Sequence, residues 1–214
     1  MVILLGTNVD IMKRQELEIT LSRNIQSFVE PKFRLEQYQT PPRVAANLLH
    51  RANELGDIDG KSVIDICAGT GILGIGAALL GGYVTCIEID PDAIAILKQN
   101  VETVDADIKI EASDIFEIEN VHADTVFSNP PFGIQQKTKR DLEFIVVGMQ
   151  MCKVGYFILD GSPSNFSKIP DLLQKRGLTV VESYKDEFPL NRSYPWHKLK
   201  RKIIATMVIR VIHS

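Results

Sequence analysis

Residues 127–140 read FSNPPFGIQQKTKR and follow a short apolar run with the composition of a buried strand. Two successive prolines remove two backbone donors and fix two φ angles, which a sheet interior does not tolerate, so the strand ends here. What the prolines stiffen is chemically useful. The side-chain oxygen of Asn129 and the carbonyl of Pro130 are two acceptors able to grip both hydrogens of one NH2 group, and Pro131 holds the turn rigid. An amine on an aromatic ring reacts poorly because its lone pair is delocalised; a pair of acceptors favours the pyramidal nitrogen of a transition state. Phe132 offers a face on which a base can stack, worth roughly 1 to 3 kcal/mol. The plain alternative is a rigid proline turn with Phe132 in the core.

A second group of residues supplies a partner for that amine. In SVIDICAGTGILGIG a strand runs into Gly69, Gly71 and Gly74, a G-x-G-x-x-G turn that lets a backbone approach a ligand and a helix pack close to the sheet. Alone, it fits a nicotinamide enzyme as well as an S-adenosylmethionine enzyme. The next strand ends in Glu88, 23 residues after Asp65, where a carboxylate can accept from both ribose hydroxyls. The third ends in Ser113-Asp114, where an acid can take the amino group of an adenine ring while Ile115 packs on its face. Three acids at three strand ends imply a cofactor groove, although each singly also suits a helix cap or loop charge. Asp90, ahead of Pro91, is read as such a cap. A donor groove beside an amine clasp points to methyl transfer, which needs neither a metal nor a protein nucleophile. Hydride transfer is disfavoured, because no proton-transfer residue stands near the expected hydride site.

The elements that must position these groups alternate. Short β-branched runs, SVIDIC, YVTCIEI, DIKIEA, DTVFSN, GYFILD, LTVVESY and IIATMVIRVI, make seven strands. Between them GILGIGAALLGG, PDAIAILKQNVETV, DLEFIVVGMQMCK and SNFSKIPDLLQKRG have helical spacing. This predicts an α/β fold with a mostly parallel sheet and helices on both faces. Two further helices fall within residues 12–55, joined by EPKFRLEQYQTPP. The expected organisation is one domain over 12–214: N-terminal helices and a lid at 12–55, the core at 62–214, and 1–11 an upstream extension, since Met12 opens the first periodic stretch.

At 214 residues, 45% of them apolar, the chain can bury one sizeable core. Cys67, Cys86 and Cys152 form no CxxC pair, which suggests neither a disulfide framework nor a structural zinc site and fits a cytoplasmic location. No apolar run reaches a membrane span, and the first ten residues lack the basic start of a signal peptide. The net charge of −3 is uneven: residues 189–214 carry +6 and no acid, leaving −9 elsewhere. A basic end on an acidic body suits a polyanionic partner. His50 and His122 are read as structural or surface histidines.

With these residues in view, the chain resembles the seven-stranded, Rossmann-like class I methyltransferases that act on planar amines, marked by an Asn/Asp-Pro-Pro-aromatic motif. KFRLEQYQTPPRVAANLLH, VIDICAGTGILGIGAALLGG, SNPPFG and SYPWHKLKRK, in that order, are similar to the methyltransferase-like 5 group and its archaeal relatives. The resemblance covers nearly the whole chain from Met12. It implies an S-adenosylmethionine-dependent enzyme that methylates N6 of adenosine in small-subunit ribosomal RNA. It carries cofactor contacts onto Gln37, Thr40, Asp65, Cys67, Gly69, Thr70, Gly71, Ile72, Glu88, Asp114, Ile115 and Asn129, and catalysis onto Asn129, Pro130, Pro131 and Phe132. Gln39 stands where relatives have proline, and Glu88 where the human-type protein has aspartate. Lys137, Lys139, Arg140, Lys198, Lys200, Arg201 and Lys202 then become phosphate contacts, and Tyr194, Trp196 and His197 platforms for unpaired bases. The family also implies a small zinc-binding activator subunit paired along a sheet edge. Other acceptors stay open: a protein glutamine N5, guanine N2, or adenine in DNA. A non-enzymatic alternative is a catalytically silent RNA-binding assembly factor.

Overall fold

The computed structural model describes residues 12–131, 139–191 and 201–214. Helices α1 (Arg14–Asn24) and α2 (Pro42–Glu54) come first, followed by β1 (Ser62–Ile66), α3 (Ile72–Leu79), β2 (Tyr83–Glu88), α4 (Pro91–Val104) and β3 (Ile108–Ala112). Then come β4 (Ala123–Ser128), α5 (Lys139–Gln150), β5 (Cys152–Asp160), α6 (Pro163–Gln174), β6 (Leu178–Asn191) and β7 (Arg201–His213). All seven expected strands form, in one sheet of order β3-β2-β1-β4-β5-β7-β6. β7 runs antiparallel between β5 and β6, while β1 to β5 pair in parallel.

The sheet buries both faces, because its helices divide between them. Leu17, Leu21, Leu48, Leu49, Ile75 and Leu97 of α1 to α4 pack on one side. Ile145, Met149, Ile169 and Leu173 of α5 and α6 pack on the other. Strands covered on both faces are apolar without alternation, as in the buried run of β1. Register then brings the strand ends level: Ile66 lies opposite Ile87 and Ser128, and Glu88 opposite Ala112. Whatever follows these four strands emerges at one carboxyl edge, where open α/β sheets bind ligands.

Several local expectations change. The first helix, whose periodic stretch KRQELEITLSRNIQSF spans residues 13–28, stops at Asn24. β6 continues past Tyr184 to Asn191, and Arg201 and Lys202 belong to β7, paired with Asn191 and Leu190. The outer strands of the described sheet are β3 and β6, while β2 and β4 are interior. No helix among the described residues is long and apolar enough to cross a membrane.

Candidate active site

The floor of the site is the turn after β1. Cys67 takes a left-handed φ of 56°, as do Gly69 at 57° and Gly71 at 88°. The turn is held by Ala68 N donating to Ile87 O at 3.1 Å. Gly74 N then donates to Asp65 Oδ2 at 2.8 Å, an approach only glycine allows, since a Cβ there would lie 2.3 Å from Cys86 Sγ. Burial lifts the Asp65 carboxyl to about 7; the Gly74 amide opposes the rise and the Glu88 charge adds to it.

Glu88 is the organising acid. Its Oε2 accepts from Gly69 N at 2.7 Å, and its Oε1 from Ile89 N and Asp90 N, each at 2.9 Å. An ionised carboxylate has about four acceptor positions, so one remains, on Oε2. Burial raises this pKa too, with the three amides limiting the rise. Beside it, Thr70 Oγ1 is buried without a partner. After β3, Asp114 Oδ1 accepts from Phe116 N at 3.0 Å and Ile115 is buried.

Residues 32–40 cross over this floor and are pinned twice. Gln37 Oε1 accepts from Lys32 N at 2.7 Å, and its Nε2 donates to Asp90 Oδ2 at 2.6 Å. The Lys32 ammonium pairs with Asp90 and, at 2.6 Å, with Asp92. Asp90 does cap α4, accepting from Asp92 N at 3.3 Å, and the same carboxylate anchors the lid. Burial opposes its charge, but the Lys32 and Gln37 bonds outweigh that and hold its pKa low. Gln39, at the departure from the family's proline, leaves its Oε1 buried and unpartnered.

The second pin is Asn129. β4 ends where Ser128 Oγ donates to Ile66 O at 2.9 Å, delivering Asn129 to the cavity. Its Nδ2 donates to Thr40 Oγ1 at 3.0 Å and to Tyr38 O at 3.4 Å. Its Oδ1 is buried with no hydrogen-bond partner. Pro130 is buried and Pro131 lines the cavity.

One cavity thus gathers Gln37, Thr40, Asp65, Cys67, Gly69, Thr70, Ile72, Glu88, Asp114, Ile115, Asn129 and Pro131. Gly71 and Pro130 are not among its lining residues. Phe132, Lys137, Tyr194, Trp196, His197, Lys198 and Lys200 lie outside the described residues, as do the side chains of Lys139, Arg140, Arg201 and Lys202. Three aromatic lining residues were not anticipated: Phe28, Phe116 and Phe144. A Cβ on Gly69 would come 2.8 Å from the Phe28 ring, and Phe116 and Phe144 lie 5.1 Å apart between centroids. Phe116, two residues past Asp114, carried the only local signal; the others arrive from separate elements.

A doubly wound sheet with a glycine turn, an acid ending β2 and an Asn-Pro-Pro after β4 defines a methyltransferase. The family model of the methyltransferase small domain matches residues 43–151. The chain is 33% identical to the rRNA N(6)-adenosine-methyltransferase METTL5 of Danio rerio, covering 93% of this chain and 98% of that protein. It is 31% identical to Mettl5 of Drosophila melanogaster, an rRNA N(6)-adenosine-methyltransferase, over 90% and 93% of the two chains. A crystal structure from Pyrococcus horikoshii, provisionally assigned as an RNA methyltransferase, superposes with a TM-score of 0.86 at 34% identity, covering 94% and 98%. The chain belongs to the methyltransferase-like 5 group of the methyltransferase small-domain family.

Proposed function

We propose that this chain is an S-adenosylmethionine-dependent methyltransferase that modifies N6 of adenosine in ribosomal RNA, specifically of the small subunit. The observation that carries the reading is the buried, unpartnered Oδ1 of Asn129. A buried acceptor left empty costs about 1 to 3 kcal/mol, and a primary amine entering the cavity removes that cost. The relatives named above support RNA as the acceptor.

The residues fit the cofactor. Thr70 Oγ1 is an orphaned polar atom in the glycine turn, and Glu88 Oε2 retains one acceptor position for a ribose hydroxyl. Gln37, Thr40, Asp65, Cys67, Gly71 and Ile72 shape the methionine end and the turn, and Asp114 with Ile115 receives the adenine ring. When bound, the cofactor supplies an electrophilic methyl group. The chain's own part is to hold the acceptor amine: Asn129 Oδ1 and the Pro130 carbonyl take its two hydrogens, localising the lone pair on nitrogen. Phe132 stacks on the target base, which must leave its helix to reach the pocket. Lys137, Lys139, Arg140, Tyr194, Trp196, His197, Lys198, Lys200, Arg201 and Lys202 anchor the surrounding RNA. A zinc-binding activator subunit at a sheet edge and a cytoplasmic location complete the proposal.

The test is transfer of labelled methyl groups to ribosomal RNA, followed by nucleoside mass spectrometry. Label in N6-methyladenosine of the small subunit is the expected result. Label in protein glutamine, in guanine or in no product overturns the proposal.

A further inference from the structure

The lid carries one charge that nothing among the described residues uses. Residues 32–37 form a closed turn: Gln37 Oε1 accepts from Lys32 N at 2.7 Å, while Leu35 N donates to Lys32 O and Glu36 N to Phe33 O, each at 3.0 Å. Both ends are tied to Asp90, one through the Lys32 ammonium and the other through Gln37 Nε2. The turn is thus fixed in place, with Arg34 on it. Arg34 lines the cavity and is exposed, and no hydrogen bond or ion pair holds its guanidinium among the described residues. It is also the only cation among the described lining residues, against the acids Glu36, Asp65, Glu88 and Asp114. Those acids oppose an approaching polyanion, so the cation at the entrance matters most to its approach. Position separates Arg34 from the cofactor's methionine end, where Thr40 and Asp65 are 3% and 2% exposed. A group at the opening meets the molecule that arrives from outside. An adenosine turned into the pocket leaves its flanking phosphates at that opening, and the planar guanidinium fork matches phosphate oxygens.

We propose that Arg34, on the pinned turn of the lid, binds a backbone phosphate of the RNA beside the target adenosine, so that the lid covering the donor cavity also holds the acceptor strand. This rests on the RNA reading above and goes beyond it, since that reading gives the lid cofactor contacts alone.

The experiment compares the full-length wild type, Arg34→Gln and Arg34→Lys. Binding to unmodified small-subunit ribosomal RNA is measured across a salt series, and S-adenosylmethionine affinity by calorimetry. Glutamine removes the charge from an exposed side chain, so RNA affinity falls about three- to tenfold at low salt, and the slope of log affinity against log salt becomes shallower by about 0.7 to 1, as for one lost phosphate contact. Lysine restores the charge and with it the slope. Unchanged affinity and slope in Arg34→Gln overturn the proposal. A loss of affinity at unchanged slope also overturns it, because that reports a disturbed lid and not a lost ion contact. So does a loss confined to S-adenosylmethionine, which would make Arg34 the partner of the cofactor's carboxylate. A wild type that binds this RNA and transfers no methyl group to it ends the enzymatic reading, and the Arg34 comparison still decides the phosphate contact. A wild type that binds no ribosomal RNA overturns both.

Discussion

Two polar clusters in this molecule differ in one respect. In the first, Asp57 ahead of β1 accepts from Tyr156 Oη at 2.5 Å and from Arg210 Nε at 3.0 Å, and its backbone carbonyl accepts from Thr125 Oγ1 at 2.6 Å. Arg210 Nη2 closes the ion pair at 3.0 Å, and Tyr156 stacks on Phe127 with centroids 5.1 Å apart. Every group has its complement, which is how a protein buries polar atoms for stability. At the carboxyl edge, by contrast, Asn129 Oδ1, Thr70 Oγ1 and Gln39 Oε1 are buried without partners around a single cavity. Groups of the same polarity are satisfied in one place and left short in another. The shortfall marks where the missing partners are supplied by ligands.

The contrast can be broken at either end. The largest effect belongs to Asn129→Ala: loss of a transition-state acceptor lowers kcat, measured by label transfer to ribosomal RNA at saturating cofactor, by about 100- to 1000-fold. Next is Asp57→Ala, which leaves Arg210 and Tyr156 without their shared acceptor. Chemical denaturation is expected to show a loss of about 2 to 3 kcal/mol, with methyl transfer retained by the folded fraction. Glu88→Gln removes the charged ribose acceptor and exchanges an oxygen for a donor facing backbone amides; S-adenosylmethionine affinity falls about tenfold or more.

A pH-dependent effect sharpens the comparison at a third place. Asp141 in the first turn of α5 is 1% exposed, and its Oδ1 has no partner. Burial, with the Asp160 and Glu36 charges adding, raises its carboxyl to about 7. A folded-state value above the unfolded one means the native state holds a proton that the unfolded chain releases. Stability therefore declines as pH climbs from the ordinary aspartate value of 3.8 to about 7. Asp141→Asn lacks that decline, so its melting temperature exceeds the wild type's at pH 8 and matches it near pH 4. Equal temperatures at both pH values would contradict this.

Much of this was legible locally. Each core strand carries its own apolar run, so the seven strands and the approximate bounds of β1 to β4 could be read directly. The glycine turn, the acids Asp65, Glu88 and Asp114, and the Asn-Pro-Pro stretch sit at or just beyond the carboxyl ends of strands, and parallel register carries such residues to one edge. What was hidden depends on distant partners. β6 looked finished at Tyr184 because the charged Lys185, Asp186 and Glu187 follow, although Glu182 within the run is an acid too. Arg51 and Arg43 of α2 neutralise Glu182 and Asp186, at 3.1 Å and 2.7 Å. Pro189 is tolerated because β6 is an outer strand. Asp90 was legible as a cap, but a carboxylate has further acceptor positions, and Lys32 and Gln37 reach them from 58 and 53 residues away. Nothing near Phe28 or Phe144 announces a cavity, since each reaches it from its own element.

The central claim is that Asn129 Oδ1 receives a hydrogen from the acceptor amine. The most direct measurement is a crystal structure with the demethylated cofactor product and an adenosine-containing RNA fragment. The account predicts the adenosine N6 within about 2.7 to 3.2 Å of Asn129 Oδ1. An N6 positioned elsewhere, with that oxygen still lacking a partner or turned onto the lid, would contradict it.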